Sequence, residues 1–320
     1  MNEKYLPLAA TIVVFLALFL IGGFLYKNFL STLVLGDILA DNAFIITAAI
    51  GTTFVILSGG IDLSIGSMIG FVGVVMANLD VVGWHPLASA GLMLVFGLLF
   101  GALQGLIIDF CEIQPFIVTL AGLFLLRGSC FMVNLDSVPI RHPFVAWFAG
   151  LSIPLPGEGE LRSSAIVMLV SLIIAVVIAH FTRFGANVYA IGGDRTSAAL
   201  MGVPMRRTTV AIYALGGVYS ALGGVIYALY TSSGYPLAGT GNELTAIASV
   251  VLGGTLLTGG VGMVAGTLFG GMILGLIATL INFNGSLNGA WIMISSGVLL
   301  FLFIVMQRSL VGSFSLRRTA

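Results

Sequence analysis

Charge is what this sequence has least of. Of its 320 residues, 12 are basic and 12 acidic, 8% together, while 59% are hydrophobic. An ordinary soluble domain carries about 25% charged residues, so this chain has too little polar surface to be solvated by water alone. The shortage excludes a cytosolic enzyme, a nucleic-acid binder working through a basic patch, and a disordered chain. Lysine is scarcer still. Lys4 follows Glu3 and Lys27 follows Tyr26, so the Gly-Lys step of a phosphate-binding P-loop is missing. If ATP powers this protein, another subunit hydrolyses it. Two cysteines, Cys111 and Cys130, lie in apolar stretches and imply no disulfide scaffold. His85, His142 and His180 are dispersed and lack metal-ligand spacing. No catalytic group, cofactor or metal is expected.

Long apolar runs take their place. About 20 mostly apolar residues cross a bilayer core as a helix. Ten runs qualify: 7–26, 42–58, 64–79, 87–108, 116–133, 163–181, 208–230, 244–258, 263–282 and 290–307. The first is too long, and lacks the small-residue cleavage site, to read as a removed leader. The expectation is an all-α, polytopic membrane protein with lipid as its main solvent. No linker or composition shift divides it, so residues 1–320 read as a single transmembrane domain.

An even number of spans puts both termini on one side, and basic residues choose the side. With the N-terminus inside, Lys4, Arg183, Arg195, Arg206, Arg207, Arg308, Arg317 and Arg318 are cytoplasmic. Lys27, Arg127, Arg141 and Arg162 are then external. That bias satisfies the positive-inside rule. Two connections are long: an external one at about 134–162, with Glu158 and Glu160, and a cytoplasmic one at about 182–207, rich in arginine.

The 43 glycines sit largely inside the spans. Most read as packing residues that let helix backbones approach, Gly97, Gly101 and Gly105 or Gly266, Gly270 and Gly275 among them. One pattern goes further. Leu57-Ser58-Gly59-Gly60-Ile61 returns 200 residues later as Leu257-Thr258-Gly259-Gly260-Val261, and Gly66 and Gly70 match Gly266 and Gly270. Paired glycine-interrupted segments in two halves mark a translocation site built from broken helices. The path candidates are therefore Ser58, Gly59, Gly60, Asp62, Ser64, Ser67, Thr258, Gly259 and Gly260. If either segment is re-entrant, ten spans is too many.

Asp62 is an acid between two apolar runs, where ionisable groups are costly and usually functional. Capping the next helix, by Asp62 or Ser64, is the expected main role, and substrate contact can coexist with it. In the cytoplasmic loop Asp194 is placed to N-cap a short helix, Arg195 to Met201, with Gly202 as its stop and Pro204 beyond. Ala198, Ala199, Leu200 and Met201 give that helix an apolar face for the bilayer surface or for a groove on a partner. Tyr227, Tyr230, Tyr235, Asn242, Glu243, Asn282, Asn284, Asn288 and Trp291 gather near the expected external ends of the later spans. Sugars are bound by such hydrogen-bonding groups with aromatic faces, although an interfacial belt has the same composition. Asn242, Glu243, Asn282 and Trp291 are the external sugar or partner candidates.

Four segments carry a resemblance: 54–67, Pro115-Phe116-Ile117-Val118-Thr119-Leu120, Thr182-Arg183-Phe184-Gly185 with Val188-Tyr189-Ala190-Ile191-Gly192-Gly193, and 246–254. They resemble the permease subunit of bacterial ABC importers for monosaccharides, the ribose, xylose and galactose class. Asp41-Asn42-Ala43-Phe44, Pro139-Ile140 with His142-Pro143, and Ile281-Asn282-Phe283 are most similar to the galactofuranose permease of enterobacteria. The pattern departs at Thr245, where the wider family often has an acid. The resemblance implies an inner-membrane, multi-pass protein. It also implies partners: a cytoplasmic ATPase, a periplasmic sugar-binding protein and a second permease of the same fold. A heterodimer is expected, with a homodimer as the alternative. Coupling would run through Asp194, Arg195, Leu200, Met201, Gly202 and Pro204.

A different class of reading is an ion-coupled secondary transporter acting alone. It needs intramembrane acids as a relay. Asp109 and Glu112 fall at an expected helix end, which leaves Asp62.

Overall fold

A computed structural model of the chain describes residues 6–285, 287 and 289–318. Lys4 and Asn288 lie outside the described residues, as do the side chains of Arg308, Arg317 and Arg318. The helices, in chain order, are α1 Leu6–Leu25, α2 Thr32–Asp41, α3 Ala43–Leu57, α4 Ile65–Val81, α5 Pro86–Phe110, α6 Pro115–Val133, α7 Pro143–Gly150 and α8 Ser163–Phe181. Then come α9 Arg183–Gly193, α10 Arg195–Leu200, α11 Met205–Thr231, α12 Asn242–Leu252, α13 Val264–Asn284 and α14 Ala290–Arg318.

Among the described residues, six helices are long and apolar enough to cross a membrane: α1, α5, α6, α8, α11 and α13. The pair α2 and α3, bent by 61°, makes a seventh. Each of the ten expected runs holds a helix, but not each of these helices is long and apolar enough to cross a membrane. The run 244–258 is the clearest correction. Its helix, α12, has 11 residues, about 16 Å at 1.5 Å per residue, roughly half a bilayer core. Gly253 and Gly254 end it, the latter at φ +92°. The chain is also not purely helical. Two short antiparallel ribbons occur, β1 Val138–Pro139 with β4 Ser233–Gly234, and β2 Ser152–Pro154 with β3 Glu160–Arg162.

Several boundaries follow from local chemistry. Pro86, Pro115 and Pro143 each open a helix, where the missing N–H is unneeded and φ is already helical. His85 and His142 cap two of them, Nδ1 accepting from the amides of Leu87 and Phe144 at 3.2 and 3.1 Å. Ser232, at φ +52°, ends α11.

Helix α3 is the centre, buried along nearly its whole length and packed against α8, α11, α12 and α13. Thr53 and Thr267 share a hydrogen bond of 2.7 Å between α3 and α13. Helices α5 and α11 approach so closely that a methyl on Gly97 would meet the Gly217 carbonyl. With lipid as competitor, such packing rather than water exclusion holds helices together. The long loop at 134–162 is strapped down: Thr32 Oγ1 donates to the Pro156 carbonyl at 2.8 Å, and Arg162 pairs with Asp37 at 3.3 Å.

Candidate functional site

Helix α3 stops at Leu57 because Ser58 and Gly59 curl away. Ser58 Oγ donates to the Val55 carbonyl at 2.7 Å, and Gly59 adopts φ +81°. The Gly60 amide returns to the same carbonyl at 2.9 Å. Residues 60–64 then form an irregular link before α4 begins. Asp62, 3% exposed, does not cap α4 as the sequence suggests. Its Oδ1 accepts from the Ser64 amide at 2.8 Å and the Ser64 hydroxyl at 2.7 Å, a local Asx turn. Ser64 holds the N-cap position but makes no side-chain cap, since its hydroxyl is given to Asp62. Around it lie Gln104, whose Oε1 is 3.5 Å from Ser64 Oγ, and Thr119 and Tyr213, whose hydroxyls approach the Ile61 carbonyl at 3.4 Å. Ser67 Oγ is buried without a hydrogen-bond partner.

The second break follows α12. The Leu256 amide bonds the Val261 carbonyl at 2.9 Å, closing a tight loop with Thr258 exposed at its tip. Gly259 and Gly260 sit at φ +84° and +74°. The two repeated motifs meet: the Gly260 amide donates to the Leu57 carbonyl at 2.9 Å. A third glycine pair joins them. A methyl on Gly192, at the end of α9, would overlap the Leu57 carbonyl and the Gly260 amide.

Glu243 packs against the start of α4. After β4 the segment 235–241 turns back along α4, Gly234 beside Gly73, the Ala238 carbonyl beside Gly70 and the Gly239 carbonyl beside Gly66. Helix α12 therefore starts against the first turn of α4, and a methyl on Gly66 would collide with the Glu243 carboxylate. That carboxylate also accepts from the Gly241 amide at 3.3 Å. A negative group beside a helix N-terminus is favourable, because the first N–H groups are unpaired. Asn242 is half-buried beside it, while Asn282 and Trp291 are exposed near the turn between α13 and α14. Neither makes a described hydrogen bond to Glu243. Tyr230 donates to Asp41 at 2.5 Å and Tyr227 stacks edge-on against Phe44, so both have structural partners.

Arg127 is the residue that sequence reasoning missed. Its Nη1 donates to the carbonyls of Pro236 at 2.5 Å and Ala238 at 2.8 Å. Non-helical backbone at membrane depth needs such partners. The available signal was a single arginine inside an apolar run.

At the other end of the chain path, α10 stands where the sequence places it. Asp194 Oδ1 accepts from the Ser197 amide at 2.6 Å, and Gly202 stops the helix at φ +81°. Hydrogen bonds from Ser197, side chain then backbone, hold the Asp194 carboxyl below its ordinary range. Ala198 is buried; Leu200 and Met201 are 85% and 72% exposed. Asp109 binds Arg195 and Arg206, each at 3.5 Å. Pro204 leads directly into α11. A cleft of about 730 Å³ opens here, walled by Asp109, Glu112 and Ile113 on one side and Arg195, Ala199 and Arg206 on the other.

A bundle of apolar helices with broken segments meeting inside it, and a charged helical loop at one end, defines a multi-pass membrane permease. The chain belongs to the family described as the permease component of the branched-chain amino acid transport system, whose model matches residues 34–306. It is 50% identical to the inner membrane ABC transporter permease protein YjfF of Escherichia coli K12, over 97% of this chain and 94% of that protein. It is 34% identical to the ribose import permease RbsC of the same organism, over 96% and 95%. The fructose import permease FruG of Bifidobacterium longum NCC 2705 is 32% identical, over 98% and 93%. No solved structure matches. The resemblance to permeases of ABC sugar importers is thus borne out.

Proposed function

We propose that this chain is the membrane permease of an ATP-driven sugar importer of the bacterial inner membrane, with both termini cytoplasmic. Its cargo is a monosaccharide, galactofuranose or a close relative. A cytoplasmic ATPase, a periplasmic sugar-binding protein and a second permease of the same fold complete the machine. This subunit does no covalent chemistry.

The observation that carries the reading is the contact between the two breaks, Leu57 to Gly260, made directly beside the helical loop that ends in α10. Gly59 and Thr258, at the two breaks, are exposed on the single chain. Non-helical backbone is tolerated at membrane depth only against protein or an aqueous path, which a second permease on this face would supply. Sugar released by the binding protein meets Glu243 and Asn242. Movement of α10 by the ATPase then opens the path past Ser58–Ser67 and Thr258–Gly260. The ion pairs at Asp109 tie α10 through Arg195, and α11 through Arg206, to α5.

The test is reconstitution. Pure chain in proteoliposomes should show neither ATP hydrolysis nor uptake. Adding the ATPase, the second permease and the binding protein should give ATP-dependent accumulation of labelled galactofuranose. Uptake by the chain alone, driven by a proton or sodium gradient, would replace this reading with the ion-coupled one.

A further inference from the structure

We infer that α9 is a strut joining the coupling loop to both glycine breaks, with Tyr189 and Gly192 as the positioning residues that make the breaks move together. The inference rests on the importer reading above and adds to it the element that transmits the motion.

Helix α9 has 11 residues and spans about 16 Å. Its start is fixed by Thr182, whose Oγ1 accepts from the Gly185 amide at 3.2 Å. Val188 and Ile191 anchor one face in the core, and the Phe184 ring lies 6.2 Å from Phe54 on α3. Only Asp194 separates its end from α10.

Both breaks attach to this helix through main-chain atoms. The Tyr189 hydroxyl donates to the Gly262 carbonyl at 2.9 Å, in the second break. Burial pushes the Tyr189 phenol up to about 12, so it remains a donor throughout the physiological range. Three residues along the chain, Gly192 lies in the angle between the Leu57 carbonyl and the Gly260 amide. A side chain there would separate the two breaks; its absence lets one helix end touch both. Because the atoms met in both breaks are main-chain, a displacement of α9 acts on their peptide groups directly, through the Tyr189 hydroxyl at one and by close backbone contact at Gly192 at the other. A lone side-chain bond to one break would move that break alone. Two attachments on one rigid helix move both.

The experiment uses the whole reconstituted transporter and measures sugar uptake and ATP hydrolysis in the same vesicles. Tyr189→Phe removes one hydroxyl and Gly192→Ala adds one methyl. Ala186→Ser, on the exposed face of α9, is the control. Tyr189→Phe should lower the sugar moved per ATP about tenfold, the equivalent of one good hydrogen bond, while ATP hydrolysis and assembly hold; Gly192→Ala, whose methyl must part the two breaks, should lower that ratio at least as far and lower the melting temperature as well. The control should match the wild type. Unchanged stoichiometry in Tyr189→Phe overturns the strut. So does a fall of uptake and hydrolysis in equal proportion with a lowered melting temperature, which is what a merely structural role gives. If the wild-type assembly itself shows no ATP-dependent uptake, the importer reading fails instead.

Discussion

The amide of Gly260 donates to the carbonyl of Leu57 at 2.9 Å. That one bond joins two segments 200 residues apart in a chain whose motifs there are near copies. Leu57 is the last residue of α3, so its carbonyl has no partner within the helix. Gly260 supplies one from the opposite break. Each interruption therefore satisfies the other, and neither can change shape alone.

The bond depends on Gly260 adopting φ +74° with Gly193 pressed against it. Gly260→Ala is expected to cost about 1–2 kcal/mol for the left-handed backbone, before any overlap with α9. Melting temperature in detergent and uptake in vesicles check this. The variant should insert, melt lower and lose transport.

Asp62 separates geometry from charge. Asp62→Asn keeps the Oδ1 that accepts from Ser64 and should retain stability and most transport. Asp62→Ala leaves the Ser64 amide unbonded and should lose about 1 kcal/mol. Thermal melts and uptake on both variants decide it. A stable, assembled Asn variant without transport would show that the charge, not the Asx turn, is what the residue supplies.

Arg127 holds segment 235–241 by two carbonyls. Arg127→Ala should destabilise by about 2 kcal/mol or more, because buried acceptors lose a charged donor. Arg127→Lys should recover only part, since a compact ammonium lacks the planar guanidinium fork. Melting curves rank the three proteins.

Gly66 and Glu243 should behave as one unit. Gly66→Ala displaces the Glu243 carboxylate, and Glu243→Ala removes it. Residues in contact do not add independently. The double variant is expected to transport no worse than the weaker single one. Additive losses would show that the two act separately.

Leu200 reports on docking. At 85% exposure it contributes little to folding, so Leu200→Asp should leave the melting temperature unchanged. The ATPase should then fail to co-purify. An intact complex with normal transport would place the docking contact elsewhere.

Composition and local pattern determined the membrane class, a helix in each of the ten apolar runs, and the capped start and glycine stop of α10. Charge scarcity and apolar run length are properties of contiguous residues. So are the Asp194 cap, the Gly202 stop and the likeness of 57–61 to 257–261. The tertiary structure alone decided where the helices within those runs stop. Residues 244–258 are as apolar as a span, but a stretch containing Pro236, Gly239 and Gly241 cannot continue a helix, and it folds back along α4. Its course depends on Arg127, over 100 residues away, and on room left by Gly66 and Gly70. The same course carries Glu243 to the first turn of α4. Hydropathy registers how readily a segment leaves water. It carries no information about which distant donor meets its carbonyls, and in a protein whose helices associate by close backbone approach, that partner fixes where the segment goes.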